Sequence, residues 1–274
     1  MQHDYFPMGS RRLRRIENSL RKRCANLPEE KLQAVYGHFT RWMPGLEPSR
    51  FALNGQTVDV VQRGRTIAFP RPMPLIKYSH VAFGYEEILK RKYSLPGFVE
   101  VASNDIVVDC GAFVGGFSLS AARIAEEVHL FEPSAANASA IRQNFSQSTN
   151  IVVNECGLFS EDKEMVLNLS SSAVEHSLLQ PDEGGIIESL TIKVRRLDTY
   201  FNGQKASPDF VKIEAEGVEL EVLEGLGDLR PRQIAIDASP ERNGESPIDD
   251  LQKALEKNGY DCRRRFFMLF ARRA

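Results

Sequence analysis

A carboxylate followed by a glycine-rich turn, Asp109-Cys110-Gly111-Ala112-Phe113-Val114-Gly115-Gly116, stands directly after the apolar run Ile106-Val107-Val108. Glycines at such a junction let the backbone turn sharply and approach a ligand with no Cβ between them. The loop lacks the G-x-G-x-x-G spacing of a dinucleotide site, and Asp109, two residues before the first glycine, would repel a pyrophosphate. A carboxylate there can instead pair, directly or through water, with an ammonium group, which suits the methionine end of S-adenosylmethionine. A second acid, Glu132, closes the apolar run Val128-His129-Leu130-Phe131. At a strand tip it can accept hydrogen bonds from both ribose hydroxyls of a nucleoside. It can also serve only as the N-terminal acid of the helix that follows.

A third constellation is Lys212-Ile213-Glu214-Ala215-Glu216-Gly217, after Phe210-Val211. Lys212 and Glu214 are two apart and share one side of a strand. An ion pair anchoring the pocket rim is one reading, because an unpaired buried ammonium is costly. In the other reading, Glu214 or Glu216 orients or deprotonates an acceptor. An aliphatic hydroxyl has a pKa far above 7, so a general base would help. His176, in a polar stretch at 170–177, and Asp237, after Ile234-Ala235-Ile236, are the remaining candidates. Glu219, Glu221 and Glu224 are expected to be solvated along the next helix. Carboxylates without a His cluster give no specific metal signature, and no metal site is assigned.

These residues need elements to hold them. From about Val99, short apolar runs alternate with amphipathic stretches. The pattern predicts strands at 106–108, 128–131, 151–153, 210–213 and 233–236, and helices at 116–125, 134–145, 217–225 and 248–258. Near-continuous Val/Ile runs mark strands buried on both faces, and their alternation with helices marks parallel βαβ units. The expected fold class is therefore α/β, a doubly wound, mostly parallel Rossmann-like sheet. An antiparallel pair, 260–264 and 268–271, closes its C-terminal edge. Ligands bind beyond the carboxyl ends of such strands, where Asp109, Glu132 and Glu214 fall. Residues 1–95 read as an N-terminal α+β accessory region and 96–274 as the cofactor-binding domain. The accessory region should hold a basic helix, an amphipathic helix from about 29 to 43, and a hairpin at 57–61 and 66–69. Pro70-Arg71-Pro72-Met73-Pro74 should be a linker or extended arm, and a last helix should run over 84–93.

The runs at 107–115, 129–133 and 209–223 together resemble the FkbM-type family of S-adenosylmethionine-dependent methyltransferases. The resemblance covers roughly 84–274, and the third run is its most specific part. It implies a class I methyltransferase fold and O-methylation of a hydroxyl on a sugar, glycan or natural product. N-methylation on the same fold, and cofactor binding without turnover, are the alternatives. The family's cofactor roles carry over to Asp109, Gly111, Ala112 and Gly115 for the methionine end and to Glu132 for the ribose. Two positions depart from the family pattern. Phe113 stands where an Asn is usual, and Glu214 replaces an Asp, keeping the charge but reaching one methylene further.

Composition bounds the setting. The 274 residues are 42% hydrophobic and 26% charged with a formal net charge of −2, which is globular and excludes a general nucleic-acid or membrane-surface binder on bulk charge alone. The charge is uneven. Residues 11–23 hold seven bases and one acid, and 263–273 hold five bases; the remainder has 23 bases against 36 acids, about −13. The basic N-terminal run is either a solvated helix folded back on the acidic body or a patch for an anionic substrate, lipid headgroups or a partner. Cys24, Cys110, Cys156 and Cys262 are far apart with no C-x-x-C pair, which argues against a zinc ribbon or disulfide scaffold and fits a reducing cytoplasm. No apolar run approaches 18 residues, so no transmembrane segment is expected. The expected setting is cytoplasmic, with a small-molecule or glycan acceptor, no nucleic acid, and a homo-oligomer left open.

Overall fold

The computed structural model describes residues 11–170, 176–177, 186–204, 206–242 and 244–273. Helices α1 (Arg11–Cys24) and α2 (Glu29–Trp42) open the chain, followed by a meander of β1 (Arg50–Asn54), β2 (Thr57–Gln62) and β3 (Arg65–Pro70). Glu29 and Glu30 in the first turn of α2 favour its N-terminal dipole end. The expected hairpin is β2–β3, and β1 adds a third antiparallel strand to it. β1 escaped the sequence pattern because four of its five residues are exposed, leaving no apolar alternation. The proline-rich stretch is shorter than an arm. Pro74 caps α3 (Leu75–Ala82), and α4 (Tyr85–Lys92) follows at once.

The doubly wound part comprises β4 (Ile106–Cys110), α5 (Ser118–Ala121), β5 (Glu127–Phe131), α6 (Ala135–Asn144) and β6 (Ile151–Asn154). A separate four-stranded sheet then interrupts it: β7 (Gly157–Leu158), β8 (Lys163–Ser170), β9 (His176–Ser177) and β10 (Ile186–Arg195). The chain returns through α7 (Leu197–Phe201), β11 (Phe210–Ile213), α8 (Glu219–Glu224), β12 (Gln233–Asp237) and α9 (Ile248–Lys257). It ends in β13 (Tyr260–Arg265) and β14 (Met268–Arg273). The main sheet has the order β13-β14-β12-β11-β4-β5-β6. β4, β5, β6, β11 and β12 are parallel, and β14 closes antiparallel on β12. The strand order reverses at β4, between β5 and β11, so the loops after β4 and β11 face one crevice.

All five expected parallel strands and the antiparallel edge are present. The helix expected over 116–125 is only the single turn α5 flanked by turns. The small sheet was unforeseen, and α7 with it.

Both faces of the main sheet are buried, and the strands divide their residues between them. Ile106, Val108, Cys110, Val211 and Ile213 pack with Leu251 and Leu255 of α9. Val107 and Phe210 pack on the other face with Phe117 and with Tyr36, Phe69, Tyr78, Tyr85 and Tyr93 from the first 95 residues. Asp109 and Lys212 alternate onto this second face. The N-terminal region is therefore the cover of one side of the sheet and shares its apolar core. Asn144 of α6 reinforces the joint by bonding the backbone N–H and carbonyl of Ala68 in β3 and the carbonyl of Val114. The basic helix does fold back on the body, but through its inner side: Arg14, Glu17 and Cys24 are buried, and the Tyr36 hydroxyl donates to Glu17 Oε1 at 2.8 Å.

Candidate active site

The turn after β4 is shaped by contacts that only glycine permits. Gly111 has φ +71°, and a Cβ there would lie 1.8 Å from the carbonyl oxygen of Glu214. The loop after β4 and the end of β11 thus touch backbone to backbone. The N–H groups of Gly111 and Ala112 both donate to the Phe131 carbonyl, at 3.0 and 3.1 Å, which ties the loop to the end of β5. Phe113 has φ +53°, a left-handed conformation uncommon for an aromatic residue and better tolerated by Asn. Its N–H donates to Glu132 Oε2 at 2.8 Å, and the Lys77 ammonium lies 4.6 Å from its ring centroid.

Lys212 is the pin beneath this loop. Its ammonium is 2% exposed, donates to the carbonyls of Cys110 (2.9 Å) and Gly111 (2.7 Å), and lies 3.0 Å from Asp109 Oδ1 and 3.4 Å from Glu214 Oε2. Burial opposes its charge, but Asp109 and Glu214 hold its pKa above the ordinary lysine value. Asp109 is fully buried, and its other oxygen accepts from Ser118 Oγ at 2.7 Å. The ammonium group that Asp109 was expected to meet is, within this chain, that of Lys212.

Glu132 lies at the tip of β5. Oε1 accepts from Ser134 N (2.9 Å) and Asn137 Nδ2 (3.2 Å), while among the described residues Oε2 accepts only from Phe113 N. Burial outweighs these donors and pushes its pKa up to about 7. A carboxylate offers about four acceptor positions, so Oε2 keeps one open. The helix-capping and ligand-binding readings of Glu132 are therefore compatible.

Beyond β11 and β12, three lysines meet a cluster of acids. Lys92, from the last turn of α4, lies 2.5 Å from Glu214 Oε1 and 2.7 Å from Asp237 Oδ2. Burial alone would raise the Glu214 pKa, but Lys92, Lys212 and Lys77 together hold it well below the usual carboxylate range. Such a carboxylate is a good hydrogen-bond acceptor and a poor proton acceptor at neutral pH. Glu216 behaves oppositely. Burial, then the Glu214 charge, pushes it up to about 8, with Lys77 opposing. Glu241 goes further, to about 10, through burial and the charges of Glu216, Asp237, Glu219 and Glu214. Three carboxyls of the same chemistry are thus spread into an ionised acceptor, a group titrating near neutrality and a protonated donor.

The backbone at Glu216 is strained, with φ +49° followed by +95° at Gly217. Glu219 holds that turn: its Oε1 accepts from Ala215 N (3.1 Å) and Gly217 N (3.0 Å). Glu219 was expected to be solvated and is instead 1% exposed, because it works as the brace of the turn. Glu221 pairs with Arg242 at 2.8 Å.

Sequence reading brought Asp109, Gly111, Ala112, Gly115, Glu132, Glu214 and Glu216 to adjoining strand ends, and the structure places them there. His176 does not join them on the same elements: it lies in β9, paired with Leu169 of β8 in the small sheet, and its side chain is outside the described residues. Lys77, Lys92 and Glu241 were missed. The only signal for Lys92 was a basic helix end, the commonest place for a lysine. Among the described residues no group of three or more His, Cys, Asp or Glu could hold a metal ion.

Lys92 is itself secured from the far end of the chain. Arg265 of β13 donates to the carbonyls of Arg91 (2.6 Å), Lys92 (2.7 Å) and Ser94 (3.1 Å), filling the acceptors left open at the end of α4. Arg265→Ala is expected to cost about 1–2 kcal/mol in denaturant unfolding, reduced from the full worth of charged bonds because the site is partly exposed. Arg265→Lys should recover only part, since one ammonium cannot span three carbonyls as the guanidinium fork does. Unchanged unfolding midpoints would show that the clamp is idle.

A parallel sheet reversing at β4, a glycine turn at that reversal and an acid on the neighbouring strand tip define a class I methyltransferase fold. The chain belongs to the FkbM methyltransferase family, whose Methyltransferase FkbM domain matches residues 109–262. Among solved structures it is similar to the methyltransferase FkbM from Methylobacillus flagellatus KT, at 19% identity and a TM-score of 0.47, over 72% of this chain and 53% of that one. The chain thus spans about half the length of that protein. It is also similar to M. jannaschii TYW2 in complex with AdoMet, at 15% identity and a TM-score of 0.44, over 81% of this chain and 89% of that one. A third likeness is to precorrin-6y C5,15-methyltransferase from Geobacter metallireducens GS-15, at 15% identity and a TM-score of 0.39, over 69% and 87% of the two chains. No curated protein sequence matches it. No helix among the described residues is long and apolar enough to cross a membrane.

Proposed function

We propose that this protein is an S-adenosylmethionine-dependent O-methyltransferase acting on a hydroxyl of a sugar, glycan or natural product. The observation that carries the reading is the division of labour among Glu214, Glu216 and Glu241 at the strand ends beside the glycine turn. When bound, the cofactor supplies an activated methyl group, so the protein chiefly aligns the acceptor and excludes water. The residues present fit the cofactor. Glu132 has an acceptor position open for one ribose hydroxyl, and a second hydroxyl can take the place of the long Asn137 bond. The turn at 111–115, supported from below by Asp109 and Lys212, would border the methionine end.

On the acceptor side, Glu214 is held ionised and aimed by Lys92 and Lys212, and it orients the hydroxyl. Glu216, with its pKa near neutrality, receives the hydroxyl proton. Glu241 keeps its own proton and offers a donor. A polyhydroxyl acceptor suits a rim that presents both acceptors and donors.

Calorimetry with S-adenosylmethionine, followed by measurement of S-adenosylhomocysteine released with panels of sugars and hydroxylated small molecules, tests the reading. Glu132→Ala should weaken cofactor binding roughly 10- to 100-fold, the worth of one or two charge-assisted bonds. Unchanged affinity in a folded variant would remove Glu132 from the ribose. Cofactor binding with no product from any acceptor would make the chain a binding module.

A further inference from the structure

The basic run at 11–23 has no part in the chemistry above, and the structure gives it an unusual arrangement. At 100° per residue, Arg11, Arg12, Arg15, Lys22 and Arg23 fall within about a third of the circumference of α1. All five are exposed, and the one other residue on that arc, Ser19, is exposed as well. The opposite side is spent on the body: Arg14, Glu17 and Cys24 are buried, and Leu13 and Leu20 pack against the core. Glu17, the only acid of the helix, is turned inward to Tyr36 and cannot neutralise the outer face. Among the described residues no carboxylate stands within salt-bridge distance of any of the five cations. The result is a straight, uniformly cationic stripe on a chain whose middle is strongly acidic.

We propose that the outer face of α1 docks the protein onto an anionic lipid bilayer. The stripe carries no aromatic ring to stack on a base and no amide to read a base edge, so it lacks what nucleic-acid recognition adds to charge. A row of point charges on a rigid helix matches a planar anionic surface. The apolar side of the helix is already used in the core, so binding is peripheral, without insertion, and screened by salt. The acidic remainder of the chain is repelled by the same surface, which selects one orientation. This inference is independent of the reaction proposed above.

The test is sedimentation of the full chain with phosphatidylcholine vesicles, with and without about one third phosphatidylserine. The wild-type protein should sediment with the anionic vesicles only, and raising salt from about 0.1 to 0.5 M should release it. Each basic residue near such a surface is worth roughly fivefold in partitioning, so Arg11→Gln/Arg15→Gln/Lys22→Gln should bind about 100-fold more weakly. All three positions are exposed, so melting temperature and cofactor affinity should stay at wild-type values. Failure to sediment at low salt, equal binding to neutral vesicles, or unaltered binding by the triple variant would overturn the proposal. So would a single-stranded RNA that binds more tightly than the vesicles and is lost in the same variant, or salt-sensitive dimerisation without vesicle binding.

Discussion

Glu216→Gln is expected to reduce methyl-transfer turnover by about 10²–10⁴ while leaving S-adenosylmethionine affinity within a few-fold, the usual loss when a positioned general base is removed. The pH profile is the sharper reading. A base must be deprotonated, so wild-type turnover should rise with pH along a limb near the value of about 8 to which burial and the Glu214 charge push Glu216. Glu214→Gln removes the like charge, so it should move that limb to lower pH. Lys77→Met removes an opposing cation and should move it higher. The linkage to stability has a definite sign as well. A carboxyl whose folded pKa is raised from 4.5 to about 8 is easier to ionise in the unfolded chain, so its contribution is intact below pH 4.5 and lost as the pH rises towards 8. Glu216→Gln should flatten the stability profile in that window. A variant with normal turnover and an unmoved limb would exclude Glu216 as the base.

Lys212→Met should be the most destabilising single change near the site, by about 3–5 kcal/mol, because it leaves the fully buried Asp109 carboxylate without its cation. It also removes the donor to the Cys110 and Gly111 carbonyls, so the glycine turn after β4 loses its support. If the single variant does not fold, Lys212→Met/Asp109→Asn keeps the question answerable. Removing both partners of a buried pair costs far less than removing one, so the double variant should be the more stable of the two. Glu214→Gln should be milder, since Glu214 is partly exposed and Lys92 retains Asp237. Chemical denaturation of the three variants orders them. Equal stability of Lys212→Met and wild type would contradict the buried-pair geometry.

What the sequence disclosed follows from where burial is strong on both sides. Val107, Val108, Ile234 and Ile236 are apolar because each faces a packed layer, and runs of that kind name a parallel strand without ambiguity. Gly111 was legible because a close backbone approach admits no other residue. β1 and the small sheet were hidden for the opposite reason: with much of their surface in water, Arg50, Lys163 and Glu164 interrupt the alternation that marks a strand. The candidate site was half visible. Its carboxylates stand in short contiguous motifs, whereas the cations that set their protonation, Lys77 and Lys92, come from helices more than a hundred residues away in sequence from Glu214. Glu219 misled because helical periodicity alone cannot tell a solvated acid from one that braces the preceding turn.

The shared core around Tyr78, Tyr85 and Tyr93 has a consequence for how the molecule comes apart. A face of the main sheet that shares one apolar cluster with Tyr36, Phe69, Tyr78, Tyr85 and Tyr93 loses a large part of its packing once the first 95 residues leave, and the three-stranded sheet β1-β2-β3 of that region is small beside the seven-stranded one it covers. The first 95 residues and the sheet they cover therefore melt and form as one cooperative unit, and Lys77 and Lys92 reach the candidate site in the same event that closes the core.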